Sequence, residues 1–273
     1  MPDVARKLRG SLGRVFTGCV MQAQAVAFNM FLAFFPMLLL ALGLMGLSKS
    51  IHSEIKEFPN RLRLILPPGS ETVVYEFLSR QGGHTLSWIS LGIGGSLLAG
   101  TQVLSGFMDG FMTIVGDRER PTFFARQIRS FILLAFTIAP WVGAVVLTVF
   151  GKQIREWIIH RWGLPQVVRG LWVVVYLACV LVLAMGVLSV LYRFGRPRRR
   201  AGSSVLPGAV VATILWWLVG ASFGLYVRHV PYGVVYGGLA AAIGLLLWMY
   251  MTAIVVFLGA AYNVETDVGL RRR

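Results

Sequence analysis

Six long stretches of the sequence contain no charged residue, and this feature limits the folds open to the chain. A helix of about 20 apolar residues crosses a hydrocarbon core about 30 Å thick. Such a helix also satisfies its own backbone hydrogen bonds where no water is present. The sequence therefore predicts an all-α, polytopic membrane protein. Its six transmembrane helices are expected at residues 25–47, 86–108, 130–150, 170–192, 205–227 and 236–262.

The overall composition agrees with a membrane protein. Of the 273 residues, 56% are hydrophobic and 14% are charged, whereas charged residues make up about 25% of an average soluble protein. Cys19 and Cys179 are the two cysteines, which excludes a disulfide framework and a C-x-x-C metal or redox pair. We expect residues 1–273 to form a single membrane domain without metal or cofactor.

Basic residues between the predicted spans indicate the orientation of the chain. The sequence has 26 basic and 11 acidic residues, a net charge of +15. By this segmentation, 16 basic residues lie on the side of the N-terminus and 10 on the other side. Because cytoplasmic loops carry an excess of Lys and Arg, both termini are expected in the cytoplasm. The first span is longer than the apolar core of a cleaved signal peptide, about 7–15 residues, so we expect it to be retained.

The longest connection between spans, residues 48–85, is expected on the outer side. Pro67-Pro68-Gly69-Ser70 interrupts it, and Ser70 can cap a short helix that follows. Four apolar residues share one face of that helix by their spacing: Val73, Val74, Phe77 and Leu78. Such a helix lies in the membrane interface, covers the mouth of a cavity, or simply closes the loop against the bundle.

Arginines collect at two places on the predicted cytoplasmic side. Arg126 and Arg129 follow Phe123 and Phe124 before span 3, as in segments whose rings lie at headgroup depth. Attraction to an anionic leaflet is worth about 1 kcal/mol for each basic residue near the surface. The alternative is that these residues only fix the topology. The candidate headgroup-binding residues are Arg126, Arg129, Arg193, Arg196, Arg198, Arg199 and Arg200.

Two prolines and one amide inside the predicted spans are candidates for a kink or a polar cavity. Pro36 in span 1 and Pro140 in span 3 each remove a backbone hydrogen bond. Asn29 precedes Pro36 and suits either a cavity wall or an interhelical hydrogen bond. Glycines in span 2, and Gly220 and Gly224 in span 5, predict close helix packing or a sliding surface between two conformations.

Several short motifs carry a resemblance to a known family. They are Ala25-Val26-Ala27-Phe28, Phe34-Phe35-Pro36, Leu191-Tyr192-Arg193-Phe194, Pro207-Gly208-Ala209, Phe223-Gly224-Leu225-Tyr226, Tyr236-Gly237-Gly238-Leu239, Leu247-Trp248-Met249-Tyr250 and Leu258-Gly259-Ala260-Ala261-Tyr262-Asn263. With these motifs the chain resembles the YihY/BrkB family of bacterial inner-membrane proteins, once labelled ribonuclease BN. Two residues depart from the family pattern, since members often carry a glutamate at Ala261 and an aromatic residue at Asn29.

The resemblance implies a six-helix protein of the bacterial inner membrane with a role in envelope integrity, serum resistance, or lipid or solute transport. We expect a transporter or lipid-handling protein that moves or binds an amphipathic or anionic molecule, with anionic membrane lipids as partners. The predicted spans contain no ionisable residue at mid-depth, which disfavours ion-coupled transport. The alternative is a non-catalytic anchor of an envelope complex, bound to an envelope protein or to a second copy of itself.

A ribonuclease is a poor fit to the residues. Metal-assisted hydrolysis of a phosphodiester needs clustered carboxylates or histidines. Here the four histidines are isolated in loops predicted on the outer side, and the acidic residues are scattered. The positive-inside bias accounts equally well for the basic charge. We therefore expect no catalytic residue, no enzyme activity and no nucleic-acid partner.

Overall fold

The computed structural model describes residues 2–47, 85–117, 122–138, 161, 167–195, 205–229 and 238–271. Within these ranges the regular elements are helices and no strand is present, which confirms the predicted all-α fold. The helices are α1 (Pro2–Gly18), α2 (Val20–Leu47), α3 (Thr85–Val115), α4 (residues 123–138), α5 (Val167–Phe194), α6 (Leu206–His229) and α7 (Gly238–Arg271).

Four described segments are long and apolar enough to cross a membrane, and they match predicted spans 1, 2, 5 and 6. These segments are Val20–Leu40, Ile89–Val115, Leu206–Tyr226 and Ala242–Val268. Ala178–Phe194 is a shorter apolar part of α5. Span 3 is described only to residue 138, so a total of six transmembrane helices stays a prediction. The predicted features outside the described residues are Pro140, the helix after Ser70, Arg196, Arg198, Arg199 and Arg200.

α3 and α7 continue past the predicted ends of their spans, residues 108 and 262. The extensions carry Asp109 and Glu265, which the sequence alone places outside the apolar stretches. α3 ends at Gly116, whose φ of +74° lies in a region that glycine enters without steric cost. The N–H of Gly116 donates to the carbonyl of Thr113, and that of Asp117 to the carbonyl of Met112. These two bonds satisfy carbonyls at the helix end.

The contacts divide the chain into two compact units. Unit 1 comprises Met1–Cys19, Met108–Trp216 and Val255–Arg273, and unit 2 comprises Val20–Phe107 and Trp217–Ile254. The largest fully buried side chains of unit 1 include Tyr192, Phe111 and Phe257. The ring of Phe111 makes edge-to-face contacts with Tyr192 and Phe257, with centroids 5.6 and 5.9 Å apart. An aromatic core therefore lies inside unit 1.

In unit 2, α2 and α3 pack against each other through glycines of α3. A Cβ added at Gly92 would lie 2.8 Å from the backbone nitrogen of Leu40, and one at Gly95 would lie 2.8 Å from Cβ of Pro36. At Gly106 it would lie 2.7 Å from Cγ2 of Val26. The contacting residue of α2 moves from Leu40 to Val26 as the contacting glycine of α3 moves from Gly92 to Gly106. α2 and α3 are therefore antiparallel.

These contacts test the predictions made for the bundle. Close packing is found at Gly92, Gly95 and Gly106 of α3. Among the described residues, no atom lies within 4 Å of a Cβ added at Gly94, Gly220 or Gly224. α2 continues through Pro36, whose ring fills the space that Gly95 leaves. Asn29 is half-buried, and the described part of the chain gives its side chain no interhelical hydrogen bond.

Candidate functional site

Three of the family-like motifs meet in unit 1. The end of α5 supplies Tyr192, the start of α6 supplies Gly208, and α7 supplies Gly259 and Asn263. We call these four residues the junction. The sequence analysis noted each motif separately, and only the structure shows that they are in contact.

Asn263 caps the first turn of α6 from a neighbouring helix. Its Oδ1 accepts a hydrogen bond of 2.7 Å from the N–H of Gly208, and its Nδ2 donates to the carbonyl of Val205 at 3.1 Å. The first N–H groups of a helix have no partner within that helix. Asn263 supplies one from α7, and its own side chain is fully buried. A buried amide is stable here because both ends of it are paired.

Glycines allow the helices of the junction to approach each other. A Cβ at Gly208 would collide with the carbonyl of Gly259 and with the side chain of Asn263. A Cβ at Gly259 would collide with the hydroxyl of Tyr192, which donates a 2.8 Å hydrogen bond to the carbonyl of Val256. The polar atoms of the junction are therefore engaged with each other, which fits a positioning role for this cluster.

Residues 196–204, which include Arg196, Arg198, Arg199 and Arg200, lie outside the described residues, but the residues on both sides of them are described. On one side, Gly195 donates its N–H to the carbonyl of Leu191 at 2.8 Å and lies against the ring of Phe111. On the other side, Val205 accepts the bond from Asn263. Contacts within unit 1 therefore hold the described residues on both sides, Gly195 and Val205.

Three of the predicted headgroup-binding arginines lie in described parts of unit 1: Arg126 and Arg129 on α4, and Arg193 on α5. We call them the arginine group. Arg193 is exposed, and Arg129 is half-buried. The ring of Phe194, next to Arg193, stacks on Phe136 of α4 with centroids 6.1 Å apart. The two helices that carry the group are therefore in contact.

Arg126 differs from the other two because it has an acidic partner. Its Nη2 lies 2.5 Å from Oδ2 of Asp109, and both side chains are about one-third exposed, at 32% and 34%. A charge-assisted bond of this kind holds the guanidinium in one orientation. The sequence analysis missed this pair, since it ended span 2 one residue before Asp109.

α1 is a further element that the sequence analysis did not predict. Its Ser11 and Val15 are buried, one helical turn apart, with Cys19 buried a turn later. This i, i+4, i+8 spacing was the available signal. Nε of Arg14 lies 2.6 Å from Oε1 of Glu265 on α7.

Gly10 makes room for that ion pair. A Cβ added there would lie 3.0 Å from Cδ of Glu265. α1 is therefore fixed to α7 by a charged contact over a residue without a side chain.

Cys19 lies between α1 and α2 and is fully buried. Its Sγ donates to the carbonyl of Gly110 at 3.7 Å. Burial raises the pKa of the Cys19 thiol to about 11, because desolvation disfavours the thiolate. Since the thiolate is the reactive form, Cys19 is expected to be inert at neutral pH.

The described residues contain no group of three or more His, Cys, Asp or Glu placed to hold a metal ion. Two carboxylates of the described residues form ion pairs with arginine, Asp109 with Arg126 and Glu265 with Arg14. This part of the chain therefore offers fixed charges and exposed guanidinium groups, with no arrangement of metal ligands.

Comparison with known proteins gives a family for the chain. Residues 16–272 match the family described as "Virulence factor BrkB". Among curated proteins, the UPF0761 membrane protein of Alkalilimnicola ehrlichii is 24% identical over 90% of this chain and 54% of its own length. The UPF0761 membrane protein azo3165 of Azoarcus sp. is 28% identical over 94% of this chain and 62% of its own length. The chain thus spans little more than half the length of these two relatives.

A third relative is the ribonuclease-like protein YfkH of Bacillus subtilis, 25% identical over 71% of this chain and 70% of its own length. No solved structure matches the chain.

Proposed function

This chain belongs to the BrkB family and is a multi-pass membrane protein, and we propose that it is a transporter or lipid-handling protein of the bacterial inner membrane. In this proposal it binds the anionic headgroup of an amphipathic molecule at the arginine group. Arg196, Arg198, Arg199 and Arg200, which follow Arg193 in the sequence, add positive charge in this proposal. Both termini lie in the cytoplasm, on the side with more basic residues.

The observation that carries the proposal is the combination of arginines with exposed aromatic rings on α4 and α5. Phe123 and Phe124 are 72% and 77% exposed. An exposed phenylalanine ring is apolar, so on an interfacial helix it is stable where it enters the acyl boundary beside basic residues. On the same helix Arg129 presents a guanidinium, whose planar set of five N–H donors matches phosphate oxygens.

The three arginines have different roles in this proposal. Asp109 neutralises the charge of Arg126 and holds its guanidinium in place, so Arg126 shapes the site without adding net charge. Arg129 and Arg193 have no acidic partner among the described residues and supply the net positive charge.

Lipid movement in proteoliposomes tests the proposal. The purified protein is reconstituted with fluorescently labelled phosphatidylglycerol or phosphatidylcholine, and translocation is followed by chemical quenching of the outer leaflet. We expect translocation above that of protein-free vesicles, with phosphatidylglycerol faster than phosphatidylcholine. Arg129→Gln with Arg193→Gln removes two charges worth about 1 kcal/mol each, so headgroup binding should weaken by an order of magnitude or more.

The matched control is Arg155→Gln with Arg228→Gln, which removes the same charge from loops predicted on the outer side. It should leave the preference for phosphatidylglycerol unchanged. Lipid movement equal to that of empty vesicles would count against the proposed function. An equal loss in both double variants would count against the arginine group as its site.

A second candidate function is a non-catalytic anchor of an envelope complex. The supporting observation is the open face of α6, where Gly220 and Gly224 have free space and Leu225 is exposed. Helices in lipid associate through such small-residue faces. Copurification from native membranes in mild detergent separates the two functions, since an anchor retains a stoichiometric partner and a self-sufficient transporter does not.

We also propose that the chain is not an enzyme, although its relative YfkH carries a ribonuclease-like name. The support is the pairing of Asp109 and Glu265 with arginines, which leaves these carboxylates poorly suited to hold a catalytic cation. RNA hydrolysis by the purified protein that requires a divalent cation, and is lost in Asp109→Asn, would contradict this.

A further inference from the structure

One face of α1 is buried, and a second, apolar face is exposed. Ser11 and Val15 are buried in unit 1. Leu12 and Phe16 lie one helical turn apart on another face and are 43% and 57% exposed. At 100° per residue, Arg9 falls on the same side as Leu12 and Phe16, and it is also exposed. A helix in water gains nothing from a second exposed apolar face, so this face indicates a non-aqueous neighbour.

The contacts of α1 define its depth. Gly18 packs on Thr113 of α3, the thiol of Cys19 donates to the carbonyl of Gly110, and Arg14 pairs with Glu265 of α7. Asp109 is the first charged residue along α3, and Glu265 is the first along α7. Because charged side chains are costly in the hydrocarbon core, they mark where these helices reach the headgroup layer. α1 contacts both helices at or beyond that level.

The rotation of α1 about its axis is also fixed. Arg14 and Gly10 face the carboxylate of Glu265, so the Leu12 and Phe16 face is turned away from that contact. The exposed side of α1 thus combines an apolar stripe with a neighbouring arginine at headgroup depth. This is the pattern of a helix that lies in the plane of a membrane interface.

From this arrangement we infer that α1 is an interfacial helix, and that Arg9, Leu12 and Phe16 bind the headgroup layer of an anionic leaflet of the surrounding bilayer. The apolar side chains enter the acyl boundary, and the guanidinium of Arg9 binds lipid phosphates. This contact does not depend on lipid transport, because it needs neither the arginine group nor a translocation path.

Phe16 and Thr17 provide a matched pair for the test. Both are exposed, and they are successive residues that point about 100° apart, with Thr17 away from the apolar stripe. A spin label is placed at Phe16→Cys or at Thr17→Cys in the full chain with Cys179→Ser. Cys19 remains, because it is fully buried. Collision rates with oxygen, which partitions into lipid, and with a water-soluble nickel complex then report the depth of each label in phosphatidylglycerol-containing vesicles.

We expect the label at residue 16 to collide more with oxygen and the label at residue 17 more with the nickel complex. Equal exposure of both labels to the nickel complex would overturn the inference. The charge is tested with the label at residue 16, which should lie deeper in vesicles containing phosphatidylglycerol than in pure phosphatidylcholine. Arg9→Gln should abolish that difference, and its persistence would exclude Arg9 as the residue that recognises the anionic headgroup.

Discussion

The interactions inside unit 1 differ from those inside unit 2. Unit 1 contains the junction, the ion pairs Asp109–Arg126 and Arg14–Glu265, and the rings around Phe111. Unit 2 has Arg228 as the one charged residue of its described ranges, and its α2–α3 contact consists of backbone and aliphatic atoms. Charged and polar side-chain contacts therefore concentrate in unit 1, whereas close packing at glycines occurs in both units.

The difference follows from the solvent. In lipid an apolar side chain gains nothing by leaving the acyl chains, so helices associate through dispersion contacts between closely spaced backbones. Near the headgroups water is available, so paired charges there cost less free energy than in the hydrocarbon core. Unit 2 also contains Gln22, Ser96 and Thr252, whose buried oxygen atoms have no hydrogen-bond partner among the described residues. At these three side chains the hydrogen-bonding capacity of buried oxygen atoms in unit 2 is not met by the described residues.

The largest effect is expected in the junction, from Gly208→Ala. The added methyl group would collide with the backbone of Gly259, which α6 and α7 can relieve only by moving apart. We expect destabilisation of about 3 kcal/mol or more. Thermal unfolding in mild detergent measures it, with Gly224→Ala on the same helix as the control because nothing lies within 4 Å of its Cβ. Equal stability of the two variants would refute the tight contact.

The next effect concerns the cap that α7 provides. Asn263→Leu keeps the number and branching of the side-chain heavy atoms but leaves the N–H of Gly208 without its acceptor. The carbonyl of Val205 keeps only the bond from the N–H of Ala209. We expect a loss of about 2 kcal/mol, since buried unpaired polar groups cost about 1–3 kcal/mol. Loss of the phosphatidylglycerol preference along with stability would show that the cap also positions the arginine-rich segment. An unchanged unfolding temperature would mean that the cap contributes nothing.

A smaller effect is expected in unit 2, where Gly92 and Gly94 lie on the same helix. Gly92→Ala forces the backbone of Leu40 away, whereas Gly94→Ala enters open space. We expect Gly92→Ala to destabilise by about 1–2 kcal/mol, after the helix-propensity gain of about 1 kcal/mol from alanine. Gly94→Ala should be neutral or stabilising. The same unfolding assay compares them, and the reverse order would contradict the α2–α3 register.

The smallest effect is expected at the ion pair between α1 and α7. Arg14 is exposed and Glu265 half-buried, so the pair is partly screened by solvent. A double-mutant cycle with Arg14→Gln and Glu265→Gln should give a coupling of at most about 1 kcal/mol. The coupling should decrease at high salt. A salt-independent coupling larger than this would mean that the pair is far more buried than its exposure indicates.

Sequence periodicity and charge predicted the helical class and the apolar cores of α2, α3, α6 and α7. They did not predict the helix ends. An apolar stretch ends at its first charged residue, whereas the backbone hydrogen bonds of a helix can continue beyond that residue. α3 therefore contains Asp109 and ends only at a glycine with positive φ. The sequence did not predict α1, because its buried stripe at Ser11 and Val15 is short and lies among basic residues.

The candidate site was predicted only as a set of arginines. Local sequence identified Arg126, Arg129 and Arg193, but gave no sign that Asp109 pairs with one of them. Nor did it show that Gly208 and Asn263, 55 residues apart, form one hydrogen-bonded cap. Contacts of this separation leave no periodic trace in a single sequence.

The sequence by itself determined the solvent of this protein, because a long uncharged helix is stable only where its surroundings are as apolar as its side chains. It also predicts an excess of basic residues on the side of the termini. Only the tertiary structure decided which glycines pack against a neighbouring helix, which have free space around them, and which arginines form ion pairs. Those outcomes depend on distances between helices, and such distances are set by the simultaneous packing of residues far apart in the chain.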